Sequence, residues 1–136
     1  MLHFNENIMN ALELAIKEAL VSAGNNKEAN KAYLEFIKAN FIIPIEKDSA
    51  ENEPTVLYLS SAEGLFLPVF SNMEYFNSWA NEIKDSIQLL KLSGVDLLKG
   101  IGEQVTVCLN IGSEIYKEFN AAEVARMKNM VLKLFK

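Results

Sequence analysis

The chain has few of the residues on which several common functional sites depend. Its 136 residues include one cysteine, Cys108, and one histidine, His3. A single cysteine cannot form a disulfide within the chain, and together with one histidine it provides no cluster of metal ligands. No acidic loop has the spacing of a calcium site either. We therefore expect no metal, no cofactor and no need for an oxidising compartment.

Long hydrophobic runs and an excess of positive charge are also missing. No apolar stretch approaches the ~20 residues of a membrane-spanning helix, and the N-terminus lacks the basic start and cleavage site of a signal peptide. The net charge is −5, whereas phosphate binding needs clustered Lys and Arg. We expect a cytoplasmic protein that binds neither membranes nor nucleic acids.

The residues that are present predict one folded domain over residues 1–136, with no second domain. Hydrophobic residues make up 50% of the chain and charged residues 23%, as in ordinary globular proteins. Amphipathic segments predict a helical hairpin from Asn7 to about Val21 and from Lys27 to about Lys38, and Asn120 begins a C-terminal helix. The fold class is α/β (α+β), a mixed β-sheet of about five to six strands with helices packed on it.

The face of each helix follows from the spacing of its apolar residues. In the first helix Leu12 and Ile16 lie on the inner stripe with the alanines between them, and Glu13 is assigned to the solvent side. In the helix after Ser71 we expect Met73 to point inward, and Leu134 ends the inner stripe of the C-terminal helix.

The strands are predicted from short apolar or alternating runs. They are Phe41–Ile45, Thr55–Ser60, Leu65–Phe70, Asp85–Lys91, Gln104–Leu109 and Ile115–Phe119. Pro44 cannot donate to a ladder, which predicts that this strand lies at an edge or leaves the sheet early. Residues 61–64 form a hairpin turn into the third strand, whose two apolar faces predict a central position.

Ser71 follows that third strand and opens a helix, as the nucleophile of a hydrolase does. A nucleophile elbow has glycines where this chain has Val69 and Met73, and His3 is the only histidine. The pattern Ser71-Asn72-Met73-Glu74 is instead typical of a capping box, in which the Ser71 hydroxyl accepts from the amide of Glu74. Cys108 lies in an apolar strand, which predicts inert packing. We therefore assign no catalytic residue.

A set of short motifs in a fixed order resembles the N-terminal domain of the SseB family (enhanced serine sensitivity protein). The features are Ile43-Pro44, Glu63-Gly64, Leu67 to Ser71, Trp79, and Asn110 to Gly112. The resemblance is strongest over residues 27–135. The family usually has Asn-Pro-Gly where this chain has Asn110-Ile111-Gly112. The resemblance implies a mixed α/β fold and brings no established reaction, cofactor or catalytic residue.

Two strand ends are predicted to form a binding rim if their strands lie side by side, because ligands bind where strand-to-helix joins gather at a sheet edge. The predicted binding residues are Phe70, Ser71, Asn72, Trp79, Asn110 and Gly112. The function that this favours is a non-catalytic protein- or peptide-binding or regulatory module. The alternatives are a small hydrolase that uses Ser71 or Cys108, and a homo-oligomer formed through the Pro44 edge strand.

Overall fold

Two packed helices open the described part of the chain. The computed structural model describes residues 10–22, 26–48 and 53–134. Helix α1 (Ala11–Val21) packs against α2 (Asn26–Lys38). The predicted inner stripes are confirmed, since α1 and α2 bury the following residues: Leu12, Ala15, Ile16, Ala19, Ala32, Tyr33, Phe36 and Ile37. Residues 7–9 of the predicted first helix, and His3, lie outside the described residues.

Six strands form two sheets within the described residues. The larger sheet has the order β2 (Leu59–Ser61), β3 (Gly64–Val69), β5 (Val105–Leu109), β6 (Lys117–Phe119). The smaller one pairs β1 (Asn40–Glu46) with β4 (Ile87–Ser93) in antiparallel fashion. In the larger sheet β3 and β5 are parallel and the outer pairs antiparallel, so the mixed α/β class is confirmed.

Strand β1 was predicted to lie at an edge or to leave the sheet early because of Pro44. Within its two-stranded sheet β1 does lie at an edge, but two isolated bridges occupy its other flank. On the flank of β1 that faces away from β4, Ile42 forms a single bridge with Phe70, just past β3, and Ile45 forms one with Val56, in the segment before β2. Pro44 lies in register with Leu89 of β4, and its carbonyl oxygen accepts from the N–H of Leu57 at 3.1 Å on the other flank. Backbone groups alternate in direction along a strand. The missing N–H of Pro44 therefore costs the β1–β4 ladder nothing.

Other boundaries differ from prediction in detail. The predicted strand Thr55–Ser60 is reduced to the bridge at Val56 and to β2. The reason is that this stretch changes its pairing partner, from β1 at Val56 to β3 at Leu59. The strand predicted from Asp85 begins at Ile87, after a turn of 3₁₀ helix at Lys84–Ser86. The hairpin turn after Ser61 and the central position of β3 are confirmed.

Three further helices cover the sheets: α3 (Met73–Ala80), α4 (Gly94–Gly100) and α5 (Ala121–Leu134). Met73 is 39% exposed and Leu134 57%, so both were wrongly assigned to inner faces. On α5, Glu123 accepts a hydrogen bond from the Tyr33 hydroxyl at 2.8 Å. Burial, together with this carboxylate, raises the pKa of Tyr33 to about 12. The contact ties α5 to α2.

Gly94 sets the closest approach between α4 and α2. A Cβ at this position would lie 2.1 Å from the carbonyl oxygen of Phe36 and 2.8 Å from that of Ile37. The Gly94 N–H donates to the carbonyl of Ala39 at 2.8 Å, which holds the start of α4 against the end of α2. Because the obstructing atoms belong to the backbone, no side-chain movement can make room.

We expect Gly94→Ala to lower the free energy of unfolding by about 3 kcal/mol or more, since it overpacks a backbone contact. Gly100→Ala is the matched control, because no atom lies within 4 Å of a Cβ built there. That variant should stay within about 1 kcal/mol of the wild type. Urea denaturation of the two variants measures both values, and equal stabilities would contradict the close approach.

Candidate functional site

The carboxyl ends of β3 and β5 meet at one edge of the larger sheet. The two strands are parallel with Val69 opposite Leu109, and the N–H of Asn110 donates to the Val69 carbonyl at 2.9 Å. One residue further on, Ser71 N–H donates to Asn110 Oδ1 at 3.0 Å, and Asn110 Nδ2 donates to Ser71 Oγ at 3.0 Å. The structure thus places side by side the two strand ends that the predicted rim requires.

Asn110 occupies the left-handed region with φ +59° and is fully buried. Its carbonyl accepts from the N–H of Ser113 at 3.1 Å, and Gly112 at the third position of this turn has φ +88°. A positive φ there is what a type II turn requires. Glycine meets that need, so Ile111 can stand where the family usually has proline.

The capping box predicted from Ser71 to Glu74 is wrong. Asn72 is the N-cap of α3, and its Oδ1 accepts from the N–H of Tyr75 at 2.8 Å. Asparagine and serine cap helices about equally well. Here the Ser71 hydroxyl is held elsewhere, so the helix begins one residue later than predicted.

The partner of the Ser71 hydroxyl is Glu13, which was wrongly assigned to the solvent side of α1. Glu13 is only 6% exposed. Its Oε2 accepts from Ser71 Oγ and from Asn72 Nδ2, the latter at 2.7 Å. Its Oε1 accepts from the N–H of Asn10 at 3.1 Å. One carboxylate therefore links the start of α1 to the ends of β3 and β5.

A local signal for Glu13 exists in the sequence. The side chain of Asn10 accepts from the N–H of Glu13 at 2.8 Å, which completes a capping box at the start of α1. The pattern Asn-x-x-Glu before an apolar run predicts such a box. A helix that begins at Asn7, as predicted, places Asn10 inside the helix and not at its cap. The pattern would explain one oxygen of Glu13 but not the two contacts with Ser71 and Asn72.

The aromatic members of the predicted site form a second, smaller core. Phe70 is fully buried, with its ring centroid 5.6 Å from that of Phe76 and 5.3 Å from that of Trp79. Trp79 is half-buried and packs against this cluster. Phe70 therefore supports the rim from below, and among the predicted residues Ser71, Asn72, Trp79 and Gly112 keep some exposed surface.

A cleft of about 340 Å³ opens beside Ser71. Its lining residues come from the start of α1, the end of α2 and the start of β1, and they are Asn10, Ala11, Leu12, Glu35, Lys38, Ala39, Asn40 and Ser71. Within the cleft, Lys38 Nζ lies 3.2 Å from Glu35 Oε2. Of the six predicted binding residues, Ser71 lines this cleft and the other five, Trp79 among them, do not.

Tyr75, whose N–H donates to the capping Asn72, experiences the charge of three carboxylates. Burial is the main cause that raises the pKa of Tyr75, and the carboxylates of Glu114, Glu13 and Glu74 raise it further.

Cys108 lies away from the rim and is buried in β5, as predicted. Burial raises the pKa of the Cys108 thiol, although a hydrogen bond with Tyr116 acts in the opposite direction. A thiol with a raised pKa is a poor nucleophile, because the thiolate is the reactive form.

Comparison with protein families identifies the type of domain that has this geometry. The model of the SseB protein N-terminal domain matches residues 16–126, which is most of the chain. The chain belongs to the SseB family. Ser71, Asn72 and Asn110 lie inside the matched segment, whereas Glu13 lies just before it. No curated protein and no solved structure matches this chain significantly.

Two further features are absent from the described part of this SseB domain. No group of three or more His, Cys, Asp or Glu side chains there could hold a metal ion. None of the described helices is both long and apolar enough to cross a membrane.

The Glu13 contacts lead to a stability prediction. Glu13→Ala leaves the Ser71 hydroxyl, the Asn72 amide and the Asn10 N–H without their acceptor, so we expect a loss of about 3 kcal/mol in the free energy of unfolding. Glu18→Ala on the same helix removes an exposed ion pair with Lys31, and should cost less than about 1 kcal/mol.

Chemical denaturation of both variants measures the difference. A cycle with Ser71→Ala should also give a coupling of about 1 kcal/mol or more between Glu13 and Ser71, because the two side chains share one hydrogen bond. A Glu13→Ala protein as stable as the Glu18→Ala protein would contradict the role given to this carboxylate.

Proposed function

We propose that this SseB domain is a non-catalytic module that binds a segment of another protein in the cleft beside Ser71. The cytoplasmic location expected from the sequence is part of the same proposal. Membership of the SseB family supplies the domain type but no reaction or partner. Support for the proposal therefore comes from the cleft and from the rim next to it.

The observation that carries the proposal is that the polar groups of the rim are hydrogen-bonded within the protein. Ser71, Asn72 and Asn110 form their hydrogen bonds with one another, with Glu13 and with the backbone of Tyr75. A rim fixed in this way holds its shape before a ligand arrives, and preorganisation lowers the entropic cost of binding. It favours recognition over proton transfer.

The cleft itself has the size and polarity of a ligand site. Its volume of about 340 Å³ is at the lower end of the ~300–1,000 Å³ that is typical of ligand clefts. Asn10 and Asn40 are exposed in it and offer side-chain amides, and Glu35 and Lys38 offer one charge of each sign. These groups suit a short polar peptide segment rather than an apolar or strongly charged ligand.

Filling the cleft tests the proposal. Ala11 is exposed, lines the cleft and occupies the first turn of α1, so Ala11→Trp should block the cleft and leave the fold intact. The immobilised wild-type domain should retain certain proteins from lysate of the source cells. We expect the amount of these proteins retained by the Ala11→Trp domain to be lower by at least about tenfold. Quantitative mass spectrometry of the retained proteins measures this.

Ala122→Trp is the matched control, because Ala122 is an exposed alanine in the first turn of α5, which begins with the same kind of capping box. This variant should retain the same proteins as the wild type. An identical set of proteins on all three domains would contradict the assignment of the cleft, provided that the melting temperatures agree.

A small serine hydrolase is the second candidate, because one specific observation favours it. The Ser71 hydroxyl donates to the Glu13 carboxylate at the edge of the cleft, as a nucleophile donates to its base. Two features oppose it. The carboxylate already accepts from Asn72 and Asn10, and the N–H of Ser71 donates to Asn110 instead of pointing at a substrate oxyanion.

Fluorophosphonate labelling separates the two candidates. Such probes react with an activated serine hydroxyl and leave a capped or structural serine unmodified. For a binding module we expect no adduct on Ser71 by mass spectrometry, even at high probe concentration. An adduct on Ser71 that the Glu13→Gln variant loses would instead support the hydrolase.

A further inference from the structure

Strand β4 leaves one edge of its sheet unpaired within the described residues, where it pairs with β1 alone. On β1, Ile42 and Glu46 use their backbone groups on the flank opposite β4. Because the direction of the backbone groups alternates along an antiparallel strand, the odd-numbered residues of β1 must hydrogen-bond to β4. These pairs are Phe41 with Leu92, Ile43 with Leu90 and Ile45 with Gln88.

It follows that Leu89 and Lys91 direct both their N–H and C=O groups away from β1. These are four backbone hydrogen-bonding groups on an edge strand of seven residues. Proteins usually protect such edges with proline, bulges, several charges or a short strand. In β4 the only charged residue is Lys91, there is no proline, and Leu89 is 39% exposed.

We infer that β4 pairs with β4 of a second copy of this chain, antiparallel, about a two-fold axis at Leu90. This inference is independent of the cleft beside Ser71. In this register Leu89 of one copy lies opposite Lys91 of the other, and each such pair exchanges two backbone hydrogen bonds. Gln88 lies opposite Leu92, and the two Leu90 residues face each other.

Charge supports a second copy as the occupant. No like charges lie opposite each other in this register, because each Lys91 faces a leucine. Opposite charges also meet at the two ends of the strand. Lys84 and Asp85 are exposed just before β4, and Asp96 is exposed just after it. The antiparallel arrangement brings Lys84 and Asp85 of one copy to the same end of the interface as Asp96 of the other, so Lys84 offsets the like charges of the two aspartates at each end.

The first test is the oligomeric state of the full chain. Sedimentation equilibrium should show a concentration-dependent dimer. Leu89→Pro removes an N–H that points away from β1, so the β1–β4 ladder keeps its hydrogen bonds and the fold should persist. Pro44 occupies the equivalent kind of position on β1, where its missing N–H would point away from β4. Two interchain hydrogen bonds are lost per dimer, and the dissociation constant should rise at least about tenfold.

Ser60→Pro is the matched control on β2, an edge strand of the larger sheet. Ser61 and Gly64 flank a two-residue hairpin turn, so the N–H of Ser60 points away from β3. This variant should dimerise like the wild type. A wild-type chain that stays monomeric up to its solubility limit overturns the inference, as does Ser60→Pro weakening the dimer as much as Leu89→Pro.

Disulfide trapping tests the register even if Leu89→Pro fails to fold. Leu90→Cys places two thiols opposite each other at a non-hydrogen-bonded pair, where Cα atoms lie about 4.5 Å apart. We expect it to form a covalent dimer under a mild oxidant. Gln88→Cys lies on the same face of β4 but opposite Leu92 of the other copy, and should remain a monomer. Equal cross-linking of the two variants overturns the register.

Discussion

The buried carboxylate of Glu13 is the contact on which the arrangement of this SseB domain depends most. One oxygen closes the capping box of α1 with Asn10, and the other holds Ser71 and Asn72 where β3 passes into α3. Burying an ionised group is costly unless hydrogen bonds replace its water. Three donors from two distant parts of the chain do so here. The cost of separating them fixes the position of α1 over the sheet edge.

Hydrogen-bond direction along β1 has a similar organising effect on the sheets. Even-numbered residues such as Ile42 bond toward Phe70, and odd-numbered residues bond toward β4. This alternation lets Pro44 sit in the middle of a paired strand. Through Ile42 it also joins β1 to the chain just past β3 by a single bridge, while β4 has an unpaired edge within the described residues.

For function, the rim matters because its polar groups are used within the molecule. A serine at a strand-to-helix join suggests a nucleophile when it is considered alone. With Asn110 bonded to its amide and Glu13 to its hydroxyl, Ser71 acts as a joint between three elements. The exposed groups of the neighbouring cleft, such as Asn40 and Lys38, are those left to meet a partner. This arrangement, with hydrogen-bonded polar groups in the rim and exposed polar groups in the cleft, favours recognition by a preformed surface.

The sequence by itself determined the fold class and most helices and strands, whereas the pairing of the two strand ends was only a condition of the predicted rim and was decided by the tertiary structure. Apolar periodicity and turn residues are local signals, so Phe36 and Ile37 or the turn at Asn110 could be found from their neighbours. It could not assign Glu13 or choose between Ser71 and Asn72 as the cap. Those outcomes depend on contacts between residues 58 and 59 positions apart. Only the tertiary structure brings such groups together, because burial and hydrogen-bond partners are properties of the packed chain.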